Sequence, residues 1–271
     1  MKRSTAFPIM LALMLFMGIA GCSEDNSTTT DPAAAGAGHI KLNLIDSVGP
    51  YDEVNIEVIE VSVHRADEDS TSGWIVVSED TLSVNLLEYT NGNVAILADS
   101  TLASGLYTQV RLLLTENNTV VVEGETHDLE IPSGSTTGLK LNHGFTIEEG
   151  LTYSATLDFD AERSINQLGN GRYKMSPVIR LVVDATSGSI FGTIDPVEAR
   201  AQIMTVVGGD TVSTYADTVT GDFRLMALPV GLYDVEIAAT VGDFRDTLLT
   251  EIQTVAEGET DMGTIALEAM E

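Results

Sequence analysis

The sequence predicts an all-β fold: two β-sandwich domains behind an N-terminal leader and a polar tether. From His39 onward apolar residues alternate with polar ones, as in half-buried strands. Clusters of Gly, Ser, Asn and Asp break the alternation into many short runs, the pattern of a sandwich or barrel and not of α/β. Helical spacing is confined to short pieces, residues 86–98 and 161–168.

Residues 1–21 form the first element. Lys2 and Arg3 open it, an apolar run fills residues 6–20, and Gly18-Ile19-Ala20-Gly21 brings small residues up to Cys22. A basic start, a short apolar stretch and small residues at a processing point make a secretory signal peptide. The alternative is a transmembrane anchor, but the run is shorter than the roughly 18 to 20 residues that span hydrocarbon. It also leads into Ser23-Glu24-Asp25 and not into the Lys/Arg cluster of a cytoplasmic flank. A cysteine directly after the small residues resembles a bacterial lipoprotein signal. The resemblance implies cleavage before Cys22 and attachment of palmitate-type chains to it. Two or more such chains, at about 0.8 kcal/mol per buried methylene, hold a protein on a membrane without a spanning helix. Ser23 after the cysteine is similar to the outer-membrane sorting pattern of Gram-negative lipoproteins.

Composition narrows the partners. The formal charge is −28, and removing residues 1–21 takes away Lys2 and Arg3 and no acid, which lowers it to −30. Such a chain repels phosphate backbones, which excludes nucleic acid, and it has no basic patch for anionic lipid. Cys22 is the single cysteine, so an acylated chain has neither a disulfide nor thiol chemistry.

Residues 22–38 read as a tether of small and polar residues, with an expected r.m.s. span of roughly 20 to 25 Å. A first domain over 39–186 starts with the alternation Ile40, Leu42, Leu44, and residues 46–50 read as a turn. In the next run Val54, Ile56, Val58 gives way to Val61, Val63; this one-residue change of phase predicts a β-bulge near Ile59 and Glu60. Strands are expected at 74–78, 82–87, 107–115, 119–123, 127–131, 138–142, 145–148, 151–160 and 173–183. After the boundary Asp184-Ala185-Thr186-Ser187-Gly188, a second domain over 187–271 has strands at 189–194, 201–207, 211–216, 221–227, 231–240, 244–253 and 262–267. Leu102-Ala103-Ser104-Gly105-Leu106-Tyr107 is echoed by Leu228-Pro229-Val230-Gly231-Leu232-Tyr233. Each leads into a strand; Gly permits a tight turn and the Tyr hydroxyl can reach backbone.

Several runs together resemble a family of bacterial lipoproteins defined by a domain of unknown function, number 4382. They are Tyr51-Asp52-Glu53-Val54-Asn55-Ile56, Ser62-Val63-His64, LASGLYTQVRL (102–112), IPSGSTTGLK (131–140), LDFDAERSI (157–165) and GNGRYKMSPVIR (169–180). The resemblance covers about residues 39–184. Residues 188–267 are similar to carboxypeptidase-regulatory-like, prealbumin-type sandwiches through Gly221-Asp222-Phe223-Arg224-Leu225 and 228–235. The two resemblances imply Ig-like or prealbumin-like sandwiches, and neither implies a catalytic mechanism.

The candidate catalytic pair is Asp158 and Asp160, which project from one side of a strand with Cα atoms about 6.5 to 7 Å apart. Paired carboxylates can serve glycoside hydrolysis. Against this stands a salt-bridged face, with Arg111, Lys140, Arg163 and Arg180 as partners. Asp158-x-Asp160-x-Glu162 begins like a calcium loop but has Arg163 where Gly is required, and Asp67-x-Asp69-x-Thr71 is incomplete. His39, His64, His127 and His143 form no HExxH or HxH pair. Ser133 and Ser135 read as turn residues, and Gly169-Asn170-Gly171 as a turn between strands. Phe159, Phe223, Tyr153 and Trp74 are read as core.

These observations predict a non-enzymatic, lipid-anchored protein of the bacterial cell envelope, at the outer membrane, with a binding or scaffolding role. Cys22 is the lipidation site and the link to the membrane, and an envelope polysaccharide or protein is the partner. No catalytic residue, metal or cofactor is assigned. A carbohydrate-binding surface lipoprotein and a hydrolase using Asp158 and Asp160 are the alternatives.

Overall fold

The computed structural model describes residues 36–47, 49–68 and 72–270. The leader, Cys22 and residues 23–35 of the expected tether lie outside the described residues, as do Asp69 and Thr71. Strand begins at Ala37, two residues before the first domain was expected to start.

The first sandwich runs through β1 (Ala37–Ser47), β2 (Glu53–Arg65), β3 (Trp74–Ser78), β4 (Leu82–Asn85), β5 (Ala95–Ala103), β6 (Gly105–Leu114), β7 (Thr119–Val122) and β8 (Glu125–Glu130). It continues with β9 (Leu139–Ile147), β10 (Thr152–Asp160), the helical turn α1 (Ala161–Ser164), β11 (Ile165–Gln167), β12 (Tyr173–Met175) and β13 (Ile179–Val183). The second comprises β14 (Ser187–Asp195), β15 (Gln202–Val207), β16 (Asp210–Tyr215), β17 (Asp222–Pro229), β18 (Gly231–Ala238), β19 (Thr247–Thr254) and β20 (Glu259–Ala266). The protein is all-β.

In the first sandwich the sheet β13-β10-β1-β5 faces a larger sheet, β11-β12-β8-β7-β2-β6-β9, to which β3 and β4 add by pairing with β2. Strand β2 organises the larger sheet because its 13 residues pair with β4 and β7 near one end and with β3 and β6 near the other. The change of phase in its sequence is a bulge: Val58 faces Leu114, yet Glu60 faces Leu113. Val54, Ile56 and Val58 before it, and Val61 and Val63 after it, thereby all reach the core shared with Ile40, Leu42 and Leu44 of β1. Burying each such side chain contributes about 1.5 to 3 kcal/mol. Phe145 stacks between Tyr107 and Tyr153, at 5.4 and 4.7 Å between ring centroids. In the second sandwich the sheets β17-β14-β20 and β16-β15-β18-β19 enclose a separate core around Ile190, Ile203, Phe223, Val235 and Ile237.

Four local expectations are corrected. Residues 86–98 hold only a 3-10 turn over Leu86–Glu88, capped by Asn85, and then enter β5. The expected strand 173–183 is two, β12 and β13, because Pro177 lies between them and has no N–H to donate. The expected pair 138–142 and 145–148 is one strand, β9. Asp46 and Ser47, read as turn residues, close β1 and are buried.

The repeated Gly-Leu-Tyr motif has a common physical use. Tyr107 Oη donates to the Ala103 carbonyl at 2.9 Å, and Tyr233 Oη donates to the Pro229 carbonyl at 2.7 Å. Each hydroxyl ties a strand to the turn four residues upstream, as in the tyrosine corner of sandwich folds. Only the first glycine is needed for its backbone: Gly105 has φ +148°, whereas Gly231 is not in the left-handed region. Removing the hydroxyls by Tyr107→Phe or Tyr233→Phe is expected to cost about 1 kcal/mol each in urea denaturation, with an unchanged m-value.

Asp46 has a different role. It is 4% exposed; its Oδ1 accepts the Ala161 N–H at 3.1 Å, and its Oδ2 has no partner. Burial pushes its carboxyl well above the ordinary carboxylate range; the Ala161 hydrogen bond opposes this, and the nearby Asp158 and Asp160 charges add to it. The folded state therefore holds the Asp46 proton more tightly than the unfolded chain does. This contribution to stability is complete below the unfolded value near about 3.9 and is lost as pH rises through the raised folded value. Asp46→Asn keeps the acceptor for Ala161 and removes the titration. Its stability relative to the wild type is expected to be greater at pH 7 than at pH 4; a difference independent of pH would contradict the buried carboxyl.

Candidate functional site

The candidate pair stands where the two sandwiches meet. Along β10, Ala155, Leu157 and Phe159 turn into the first core, which leaves Thr156, Asp158 and Asp160 on the opposite face. Parallel pairing with β1 sets Ile45 beside Asp158 and Ser47 beside Asp160, and antiparallel pairing with β13 sets Arg180 opposite Asp158. In a sandwich standing alone this outer face would meet water. Here Ile45, Ser47 and Asp158 are all buried, because β16 of the second sandwich brings Asp210, Thr211 and Val212 over them.

Asp158 Oδ2 accepts from Arg180 Nη2 at 2.5 Å, while Asp158 Oδ1 and Arg180 Nη1 are buried without hydrogen-bond partners. Burial raises the Asp158 carboxyl above its usual range, and the charge and hydrogen bond of Arg180 oppose that rise. Asp160 Oδ1 accepts the Arg163 N–H at 2.8 Å and so caps α1; its Oδ2 lies 3.7 Å from the Arg163 guanidinium. Burial raises Asp160 as well, against the Arg163 hydrogen bond and charge. Arg163 Nη1 also donates to Asp210 Oδ1 at 2.5 Å, an ion pair across the junction.

This arrangement is chemically occupied. Asp158 is held by Arg180, Asp160 serves the backbone and Arg163, and the cavity they line is about 170 Å³. Small-molecule sites are commonly about 300 to 1,000 Å³. A glycosidase pair flanks a scissile bond, with one carboxyl free to give a proton; here each carboxyl is engaged by an arginine residue of its own. Of the four cations expected as partners, Arg163 and Arg180 pair with these aspartates. Arg111 instead binds Glu60 at 2.7 Å and Ser62 at 2.9 Å, and Lys140 lies 5.4 Å from the centroid of the Trp74 ring.

Trp74 departs from its expected place in the core. It pairs with His64 on the side of β2 that carries Ser62, away from Val61 and Val63, and the Arg111 guanidinium covers its ring at 4.3 Å. Phe159 and Phe223 are fully buried, and Tyr153 packs against the first core. The Tyr153 hydroxyl has no partner; burial, with the charge of Asp184, pushes it up to about 12.

The remaining motifs resolve into local structure. The Ser133 carbonyl accepts N–H groups of Thr136, Thr137 and Gly138 in a turn, and Ser135 donates to Glu116 at 3.4 Å. Gly169-Asn170-Gly171 turns β11 into β12, closed by Leu168 N–H to the Arg172 carbonyl at 2.7 Å. His39 pairs with Asp99, His64 meets Trp74 edge-on, and His127 meets Tyr173. Among the described residues no three His, Cys, Asp or Glu side chains are placed to share a metal ion. No helix among them is long and apolar enough to cross a membrane. Two groups escaped the sequence reading. One is Asp46; the other is Asp184, whose carboxylate accepts from Thr156 at 2.7 Å and Ser154 at 2.5 Å on the same outer face of β10. Asp46 lay in a segment that read as a turn, and Asp184 in the segment that read as the boundary between the domains.

Comparison with known proteins adds a family. No curated protein matches the chain. Among solved structures, a type II cohesin–X-dockerin complex from Acetivibrio cellulolyticus is similar at 21% identity over 30% of this chain, with a TM-score of 0.25. The match spans 58% of that chain. GBS52, the minor pilin of Streptococcus agalactiae, is similar at 11% identity over 86% of this chain and 97% of its own, with a TM-score of 0.23. BcpA, the major pilin subunit of Bacillus cereus, is similar at 12% identity over 86% of this chain and 100% of its own, with a TM-score of 0.22. The profile described as domain of unknown function (DUF4382) matches residues 37–177, more than half of the 271. The chain belongs to the DUF4382 family.

Proposed function

We propose that this protein is a non-enzymatic, lipid-anchored component of the bacterial cell envelope, with a binding or scaffolding role. The observation that carries the reading is Cys22, placed directly after small residues at the end of a short apolar leader opened by Lys2 and Arg3. Acylated Cys22 would stand 14 residues before Gly36, a separation of roughly 20 Å for a flexible coil. Ala37 accepts from the Gly150 N–H, so in this reading the turn from β9 to β10 is the membrane-proximal end. The engagement of Asp158 and Asp160 by arginines supports a structural role for those residues and not a hydrolytic one. The second sandwich, with its carboxypeptidase-regulatory-like resemblance, would serve as an interaction module.

The test is Cys22→Ser in the native host. The wild type is expected to label with palmitate and to fractionate with outer membranes. The variant is expected to lose the label and leave the membrane pellet. An unacylated wild-type chain would overturn the reading.

A further inference from the structure

Among the faces of the four sheets, the outer side of β16-β15-β18-β19 is unusual. Alternation turns Ile203, Val235 and Ile237 into the second core and sends Met204, Val206, Leu232 and Leu248 the other way. Val206 is 62% exposed, Leu232 65% and Leu248 60%, and they share one shallow concavity of about 610 Å³. Single exposed aliphatics are ordinary, but a contiguous group in a concave patch marks an interaction site. Asp234, Glu236 and Glu251 border these side chains, and no Lys or Arg lines the concavity. Register interleaves the two classes: Leu248 lies opposite Glu236, which lies opposite Met204. None of the three carboxylates has an ion-pair partner among the described residues.

We infer that this face docks a partner polypeptide segment that presents aliphatic side chains flanked by lysine or arginine. Charge selects that occupant. A second copy of this chain meeting face to face would set the same three carboxylates against one another, within a chain of net charge −28. An anionic lipid surface is repelled for the same reason. A wholly apolar segment would strip water from three carboxylates and return nothing to them. A basic-aliphatic segment fills the concavity with its apolar groups and sets its cations at the rim, where they raise the association rate and fix register. The inference deepens the binding role proposed above and does not depend on acylation of Cys22.

The test uses the full-length chain in detergent and three labelled peptides of equal length, alternating Lys with Leu, Lys with Ser, and Glu with Leu. The Lys/Leu peptide is expected to bind, and the other two to bind at least about tenfold more weakly. Leu232→Ser/Leu248→Ser is expected to weaken Lys/Leu binding at least about tenfold while circular dichroism stays unchanged. Asp234→Asn/Glu236→Gln/Glu251→Gln is expected to weaken it and to flatten its dependence on salt between about 50 and 500 mM. Equal binding of the Lys/Ser peptide, or indifference to the leucine substitutions, would overturn the inference. So would a dimer in sedimentation that Leu232→Ser dissociates, because the occupant would then be a second copy. Failure here leaves the acylation of Cys22 to be decided by its own experiment.

Discussion

One buried ion pair sets the terms for the rest of this structure. Asp158 and Arg180 face each other across β10 and β13, with 6% and 19% of their side chains exposed. Taking such charges out of water costs several kcal/mol, and only a well-placed partner repays it. The outer face of the first sheet can therefore be covered only if neither charge is left without the other. The second sandwich covers it with β16, and Arg163 to Asp210 fastens the rim of the same contact. Asp158 and Asp160, which the sequence offered as a salt-bridged face with a hydrolytic pair as the alternative, lie at the polar centre of a junction between two cores.

The alternating pattern was enough to read the strands with one buried face and one other: β1, β2, β6, β10 and the strands of the second sandwich. It failed where the backbone departs from regular pairing. In β5, Leu97 and Ala98 are both buried while Ile96 is 56% exposed, because the register against β1 slips between Leu42 and Asn43. Alternation is lost there, and the segment imitates a helix. The sequence also placed Asp158 and Asp160 away from the core, which is correct. It could not say what covers that face, since periodicity reports the sides of a strand and not the neighbours that settle on them. Asp46 was hidden because an aspartate near Gly, Ser or Pro reads as a turn residue whether or not it is buried, and Asp184 because it opens a run of small residues that read as a domain boundary. Trp74 was placed inside because large aromatics fill sandwich cores; its ring is instead covered by a guanidinium on the far side of the sheet.

The two sandwiches share a local device but divide the work. Tyr107 and Tyr233 fasten equivalent turns, each through a hydroxyl bonded four residues back. The first sandwich carries the family match and the point where the chain enters the fold. The second carries the exposed aliphatic face. Thr211 of β16 borders both the junction cavity and the docking concavity, so the contact that joins the cores also fixes the strand at the margin of that face.

The most direct measurement of this account is a double-mutant cycle on Asp158 and Arg180 by urea denaturation of the full chain. Arg180→Met leaves a buried carboxylate alone and should cost about 3 to 5 kcal/mol, whereas Asp158→Leu/Arg180→Met should recover most of that loss. A cost for Arg180→Met below about 1 kcal/mol, the range of an exposed pair, would contradict it. So would a double variant no more stable than the single one.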